Sequence, residues 1–207
     1  MTDSPIPRAQ DAWSFNRRVW TLTLPIIATN VTVPLLGLVD TAVVGRLPGP
    51  EYLGAVAIGA VIMNVIYSSL NFLRMGTTGL TAQSYGAGDA DQIRSWLARA
   101  CILSVGLGLI LVALQVPILS LSQWVMGASE AVWPLTESYF QIRIWGAPAA
   151  LLNFALLGWF FGLQNVRAAL ITQIFLNGLN TVLDIWFVLG LDWGVDGVAY
   201  ATIISEY

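Results

Sequence analysis

The chain of 207 residues is 57% hydrophobic and 10% charged, with a formal net charge of −3. Soluble domains carry roughly 25% charged residues, so this composition excludes a soluble globular protein and predicts a membrane protein. The sequence has no histidine, no lysine and no cluster of basic residues. This excludes histidine-based zinc sites, histidine acid–base pairs and a surface for nucleic acid.

Five segments are long and apolar enough to span a bilayer, which takes roughly 20 mostly apolar residues. Residues 1–17 precede these segments. They are polar, contain two prolines and lack the residue order of a signal peptide, so we interpret them as a cytoplasmic tail. We therefore predict an all-α integral membrane protein, with all of its spans within residues 18–207. The five segments are residues 19–44, 53–81, 96–121, 132–161 and 168–189.

The connections carry turn-forming residues, and residues 84–89 (SYGAGD) give a strong loop signal. A sixth helix begins after Asp196, but only 11 residues follow it. This is about half the length that crosses the hydrocarbon core. We therefore expect a six-helix lobe with five complete spans and the start of a sixth, in a chain truncated within its last helix.

The arginines predict the orientation, because positive residues accumulate on the cytoplasmic side. Six of them lie in the N-terminal tail and beside the connections after the second and fourth spans, whereas only Arg46 lies on the opposite side. We expect a multi-pass protein of the cytoplasmic (inner) membrane with a cytoplasmic N-terminus.

One acid, Asp40, lies near the end of the first span, in the stretch LLGLVDTAVVGR. A carboxylate inside a membrane costs about 2.5–3.5 kcal/mol on insertion scales and is a functional-site candidate by default. Alternatively, Asp40 marks the membrane interface, since Gly45 and Arg46 follow closely. Both interpretations stay open from this residue alone.

The fifth span carries a stripe of polar residues at steps of four, three and four: Gln173, Asn177, Asn180 and Asp184. Such steps put side chains on one face of a helix. A single amide often joins membrane helices by a hydrogen bond, but four polar residues ending in an acid favour a functional face.

Both acids are expected at a similar depth, because Asp184 lies roughly 25 Å along its helix from Arg167 at 1.5 Å per residue. Two carboxylates in one poorly solvated cavity cannot both ionise easily, so they can hold a proton or share a cation. Pro25 and Pro34 permit kinks in the first span, which would couple protonation to helix shape. Prolines also occur in membrane helices without such a role.

Two arginines fall inside the predicted spans. Arg74 is expected to extend towards the interface or to hold the following loop. Arg143 needs a partner, for which Glu137 or a helix-end carbonyl is the nearest candidate. Asn64, Asn71 and Asn153 are most simply interhelical hydrogen-bonding groups.

Four segments together resemble a known family. They are Leu24-Pro25, LVDTAVVGRLPGPEYLGAVAIG at 38–59, FLRMGTTGLTAQSYGAGD at 72–89 and NGLNTVLDIWFVLGLDWGVDGVAYAT at 177–202. From about Arg17 to Tyr207 the chain resembles the N-terminal lobe of a multidrug and toxic compound extrusion (MATE) transporter of the DinF-like branch.

The resemblance implies half of a twelve-helix transporter with two six-helix lobes. Such proteins export cationic amphipathic compounds in exchange for H+ or Na+, with no cofactor. The implied cation or proton site comprises Asp40, Asn180, Asp184 and Thr202, and the implied hinge is Pro25. Na+ would bind through Asp40, Asn180 and Asp184.

We also expect Thr41, Gln173 and Asn177 to line the adjoining cavity. The expected partners are the lipid bilayer, a small organic substrate and a second lobe, which this chain lacks. The chain alone is therefore expected to be inactive.

Two rival functions are a flippase for lipid-linked precursors, which would show more basic residues along its cavity, and a non-transporting membrane protein or assembly partner. An enzyme is not expected, since no nucleophile–base pair or metal cluster is present in the sequence.

Overall fold

The computed structural model describes residues 41–207 and four earlier positions, Arg17, Trp20, Thr23 and Ile27. The predicted acid Asp40 and the predicted hinge Pro25 lie outside the described residues. Thr41 is the first residue of the continuous part, and residues 41–44 are helical.

The described part of the chain is helical, and no strand occurs within it. This confirms the predicted all-α class. Its elements are α1 (Pro50–Ser69), α2 (Phe72–Gly86), α3 (Ala90–Ala113), α4 (Gln115–Met126), α5 (Trp133–Arg143), a 3₁₀ turn (Ile144–Gly146), α6 (Ala147–Gly162), α7 (Val166–Asp184), a π-helical turn (Ile185–Gly190) and α8 (Gly194–Glu206).

Four stretches of the described chain are long and apolar enough to cross a membrane: Pro50–Gly86, Ala90–Ala113, Trp133–Gly162 and Val166–Gly190. They correspond to the second, third, fourth and fifth predicted spans. The last helix, α8, corresponds to the predicted start of a sixth span.

Prolines account for two interruptions. Pro117 has no backbone N–H to donate, and its ring clashes with the carbonyl four residues back. That carbonyl belongs to Ala113, where α3 ends. Pro148 has the same relation to Ile144, where α5 gives way to the 3₁₀ turn. The third predicted span, residues 96–121, is therefore divided between α3 and α4, and its long apolar helix is Ala90–Ala113.

The connection between the second and third spans is shorter than predicted. Residues 84–86 still belong to α2, and only Ala87, Gly88 and Asp89 lie between the helices. Gly88 takes a φ of 72°, which glycine adopts without a steric penalty. The Asp89 side chain accepts a hydrogen bond from the Gln92 backbone nitrogen at 2.9 Å and so caps α3.

Glycines bring α6 close to α2 and α3, the two helices against which it packs most extensively. A Cβ on Gly158 would lie 2.5 Å from the carbonyl oxygen of Arg74, and one on Gly108 would lie 2.6 Å from the backbone nitrogen of Pro148. Small residues at such crossings are typical of membrane helices. Because α7 packs less closely against α6 than α2 and α3 do, space remains between α6 and α7.

Candidate cation site and cavity

Three predicted site residues meet where α7 and α8 pack together. Asn180 and Asp184 lie one turn apart on α7, and Thr202 lies on α8. Asp184 is completely buried, and Asn180 is 1% exposed. Their positions follow from the four-residue spacing on α7, which places both side chains on the face that meets α8.

The amide of Asn180 connects the other two side chains. In the orientation that pairs donors with acceptors, its nitrogen donates to Oδ2 of Asp184 at 3.0 Å. Oγ1 of Thr202 lies 3.3 Å from the same amide and donates to the carbonyl of Val198 at 2.9 Å. A carboxylate, an amide and a hydroxyl thus form one buried polar cluster, which we call the Asp184 cluster.

Small residues let α8 approach the end of α7. A Cβ on Gly197 would lie 3.2 Å from the backbone carbon of Phe187 in the π-helical turn. Ala201 is completely buried, so the neighbouring Thr202 comes within reach of α7. The π-helical turn begins directly after Asp184, and such turns are frequent at functional sites.

A cavity of about 460 Å³ adjoins the Asp184 cluster. The polar stripe of α7 forms one side of it through Gln173, Asn177 and Asn180, and Thr202 contributes from α8. Asp184 is not among the described lining residues, but it accepts a hydrogen bond from Asn180, which is one of them. Thr41, also expected on the wall, is exposed and is not among the described lining residues.

A buried ion pair lies on the same wall, and its partner was not the expected one. Arg143 donates to the carboxylate of Glu206 through Nη1 at 2.9 Å and Nη2 at 2.6 Å. Glu137 instead accepts a hydrogen bond from Gln141 at 3.1 Å. Glu206 lies 63 residues from Arg143, so no local spacing in the sequence indicated the pair.

The remaining polar groups of the wall come from several spans. Asn153 donates to the backbone carbonyl of Glu206 at 3.0 Å, which agrees with its expected interhelical role. Asn64 and Asn71 also line the cavity. Arg74 lines it as well, whereas the sequence had suggested that its side chain reaches the interface or holds a loop.

The Asp184 cluster can hold a small cation. A proton would bind to the carboxylate, and Na+ would find oxygen atoms on Asp184, Asn180 and Thr202, the ligand type that hard cations prefer. Among the described residues, no three His, Cys, Asp or Glu side chains come together as a multidentate transition-metal site would need.

Comparisons with known proteins agree with this architecture. The chain is 47% identical over 194 residues to DNA damage-inducible protein F of Escherichia coli strain K12, covering 94% of this chain and 42% of that protein. It is 32% identical over 166 residues to the probable multidrug resistance protein NorM of Synechococcus sp., covering 78% and 35%.

A solved structure has a similar fold. It shows the outward-facing conformation of a multidrug resistance MATE family transporter and superimposes with a TM-score of 0.82 and 29% identity, over 89% of this chain and 41% of that one. The chain thus spans about two fifths of these relatives' lengths. The MatE family model matches residues 25–186. The chain belongs to the MatE family of membrane transporters.

Proposed function

We propose that this chain forms one lobe of a cation-coupled antiporter that exports amphipathic organic compounds. The observation that carries the proposal is the Asp184 cluster beside the cavity. A completely buried carboxylate, hydrogen-bonded to an amide at 3.0 Å, is costly to keep in a membrane without a function. The relatives' names, which include multidrug resistance proteins, support export of organic compounds.

The coupling step follows from the contacts of Asp184. Binding of H+ or Na+ neutralises the carboxylate and changes its hydrogen bond with Asn180. That bond lies where α7 meets α8 and directly before the π-helical turn, so the changed charge state favours a different packing of these two helices. Exchange of an ion for a substrate requires at least that ion binding alters the packing of the helices.

Antiport also needs a second structural unit. Transporters of this type move one repeat against another around a site near the middle of the membrane. We propose that this six-helix lobe, predicted over residues 18–207, works with a second lobe. The coverage of 42% of the relative from E. coli supports this view. The arginine distribution supports a cytoplasmic N-terminus in the inner membrane.

The experiment uses the full-length protein in sealed proteoliposomes loaded with a fluorescent amphipathic dye. A pH gradient or a Na+ gradient is imposed in separate runs, and dye export is followed with time. The test variant is Asp184→Asn. Its matched control is Asp192→Asn, because Asp192 has a φ of 55° that asparagine tolerates well.

We expect one gradient to drive export by the unaltered protein and by the Asp192→Asn control, and the Asp184→Asn variant to lose driven export. The effective gradient identifies the coupling ion. Driven export that is unchanged in the Asp184→Asn variant would contradict the proposal. Equal export with and without either gradient would favour a non-transporting protein.

The second candidate, a flippase for lipid-linked precursors, is supported by one observation. Both in-span arginines, Arg74 and Arg143, lie on the cavity wall. A phosphate head group would be attracted to Arg74, since Arg143 is already paired with Glu206. A flippase would move a fluorescent lipid-linked phosphate across the bilayer, whereas the antiporter would move the soluble dye.

A further inference from the structure

A second cavity lies between the π-helical turn and α8, and its wall differs in chemistry from that of the first. It has a volume of about 530 Å³, within the range of roughly 300–1,000 Å³ that ligand pockets occupy. Its wall consists of three aromatic side chains, one carboxylate and one aliphatic side chain: Phe187, Trp193, Tyr200, Asp196 and Ile204. We call this cavity the α8 groove.

Three aromatic rings give the groove its shape. Phe187 is buried, and it stacks on Trp193 with 5.0 Å between the ring centroids. The ring of Tyr200 stands at 67° to that of Trp193, at a centroid distance of 5.8 Å. Trp193 and Tyr200 therefore form a corner of two steeply inclined rings, to which the buried ring of Phe187 adds a third.

The carboxylate in the groove has no counter-charge. Oδ1 of Asp196 accepts a hydrogen bond from the hydroxyl of Ser138 at 2.7 Å, and Asp196 makes no ion pair in the described part of the chain. The first span cannot supply one from outside the described residues, because residues 19–45 contain neither lysine nor arginine. A cationic ligand would therefore supply the counter-charge that these spans do not.

The surroundings of the groove are acidic as well. Among the described residues near the end of the lobe where α7 connects to α8, Arg46 is the one positive charge. Five acids lie near the same end: Glu51, Glu130, Glu137, Asp192 and Asp196. Asp40, which precedes the described part, can only add to this excess of negative charge. Charge complementarity thus favours a cation in the groove.

The groove faces away from the polar cavity. Tyr200 and Ile204 each lie two residues from Thr202, which lines that cavity, and two residues correspond to about 200° around a helix. The end of the first span packs on the other side as well, because Val44 shares a cluster with Val198, again two residues from Tyr200. Since the repeats of a transporter meet around the central site, the face that carries the groove is left to the bilayer.

The groove also runs in the direction of a lipid molecule. Trp193 lies three residues after the candidate span Val166–Gly190, at the level where indole rings favour the membrane interface. Ile204 lies roughly 12 Å farther along α8 than Asp196, at 1.5 Å per residue, and it is 47% exposed. The acid and the rings are therefore near the head groups, and the aliphatic side chain is at the depth of acyl chains.

We propose that the α8 groove binds a phospholipid whose head group carries an ammonium ion, as in phosphatidylethanolamine and phosphatidylcholine. Asp196 pairs with the ammonium group, Trp193 and Tyr200 contact it through their rings, and an acyl chain packs on Ile204. Aromatic rings attract ammonium groups because the face of each ring carries negative potential. This lipid site is separate from the Asp184 cluster, so its test does not depend on transport.

The test measures lipid binding to the full-length protein in detergent by native mass spectrometry, which gives the dissociation constant of the first bound lipid. Phosphatidylethanolamine, phosphatidylcholine and phosphatidylglycerol are titrated with identical acyl chains, and only phosphatidylglycerol lacks an ammonium group. The variant Asp196→Asn keeps an oxygen that accepts the hydrogen bond from Ser138, and Tyr200→Leu removes an exposed ring. Asp192→Asn is the matched control, because it removes an acid four residues away that does not line the groove.

We expect both ammonium lipids to bind about threefold to tenfold more tightly than phosphatidylglycerol. Asp196→Asn and Tyr200→Leu should each lose most of this preference, whereas Asp192→Asn should keep it. Melting temperatures close to that of the unaltered protein show that the variants are folded, and Asp196→Asn decides the question if Tyr200→Leu is not. Equal affinities for the three lipids, or an unchanged preference in Asp196→Asn, would overturn the proposal.

Two comparisons identify other occupants of the groove. Phosphatidylcholine has no N–H on its ammonium group, so binding no tighter than that of phosphatidylglycerol would show that the rings take no part, which overturns the aromatic site. Benzyltrimethylammonium is then added as a soluble competitor. Binding of this cation more tightly than phosphatidylethanolamine, with loss of both in Asp196→Asn, would make the groove a site for soluble organic cations and overturn the lipid; weaker binding supports the lipid.

Discussion

Arg143 and Glu206 form a two-point ion pair that joins the fourth span to the last helix. Their hydrogen bonds measure 2.9 and 2.6 Å, and the side chains are 9% and 17% exposed. Glu206 lies one turn beyond Thr202 on α8, so the pair fixes the helix that contributes the hydroxyl of the Asp184 cluster. A buried pair of this kind stabilises a specific packing more than it adds net stability.

The ion pair gives the first prediction. The change Glu206→Gln leaves the Arg143 guanidinium buried without a counter-charge, which should lower the free energy of unfolding by about 3 kcal/mol. The double change with Arg143→Gln should cost less than Glu206→Gln alone, because no unpaired charge remains. Thermal denaturation of the full-length protein in detergent measures both. Additive losses from the two single changes would contradict a direct pairing.

The second prediction concerns the contact between α3 and α6. A methyl group on Gly108 would lie 2.6 Å from the backbone nitrogen of Pro148, so Gly108→Ala should force the helices apart and cost about 1–3 kcal/mol. Gly106→Ala is the matched control on the same helix, since nothing lies within 4 Å of its Cβ position. Melting temperatures report the difference, and an equal effect of both changes would exclude this contact as a packing constraint.

Sequence reasoning succeeded for the polar stripe, whose cause is local, and failed for contacts between distant residues. The polar stripe from Gln173 to Asp184 follows from a spacing of three and four residues, and that spacing places Asn180 beside Asp184. The interruption at Ala113 also has a local cause, Pro117, but the apolar run concealed it. The partner of Arg143 lies 63 residues away, and only helix packing reveals it. The same packing places Arg74 on the cavity wall.

The third prediction tests the hydroxyl of the Asp184 cluster. Thr202→Val keeps the shape of the side chain but removes the oxygen that lies 3.3 Å from the Asn180 amide oxygen. Loss of one buried hydrogen bond costs about 1 kcal/mol or somewhat more, so the apparent affinity for the coupling ion should fall by up to about tenfold. Transport rates at a series of pH values or Na+ concentrations give that affinity. Thr202→Ser retains the oxygen, so its affinity for the coupling ion should stay close to that of the unaltered protein. If Thr202→Ser lowers this affinity as much as Thr202→Val does, the hydroxyl has no role in ion binding.

The last prediction addresses Asp40, which lies outside the described residues and whose role is argued from sequence. If Asp40 and Asp184 share one cation, Asp40→Asn should abolish gradient-driven export as completely as Asp184→Asn does, because either change removes one of the two charges that bind the ion. Export of a fluorescent dye is compared for the two variants and for the Asp192→Asn control, at matched amounts of protein in the membrane.

The comparison separates the two interpretations of Asp40. A shared site predicts that both acids are required and that the double variant Asp40→Asn/Asp184→Asn is no worse than either single one, since residues that act as a unit have non-additive effects. A residue at the membrane interface predicts normal export by Asp40→Asn while Asp184→Asn fails. In that case the Asp184 cluster alone would bind the coupling ion, and the carboxylate in LLGLVDTAVVGR would only mark where the first span meets water.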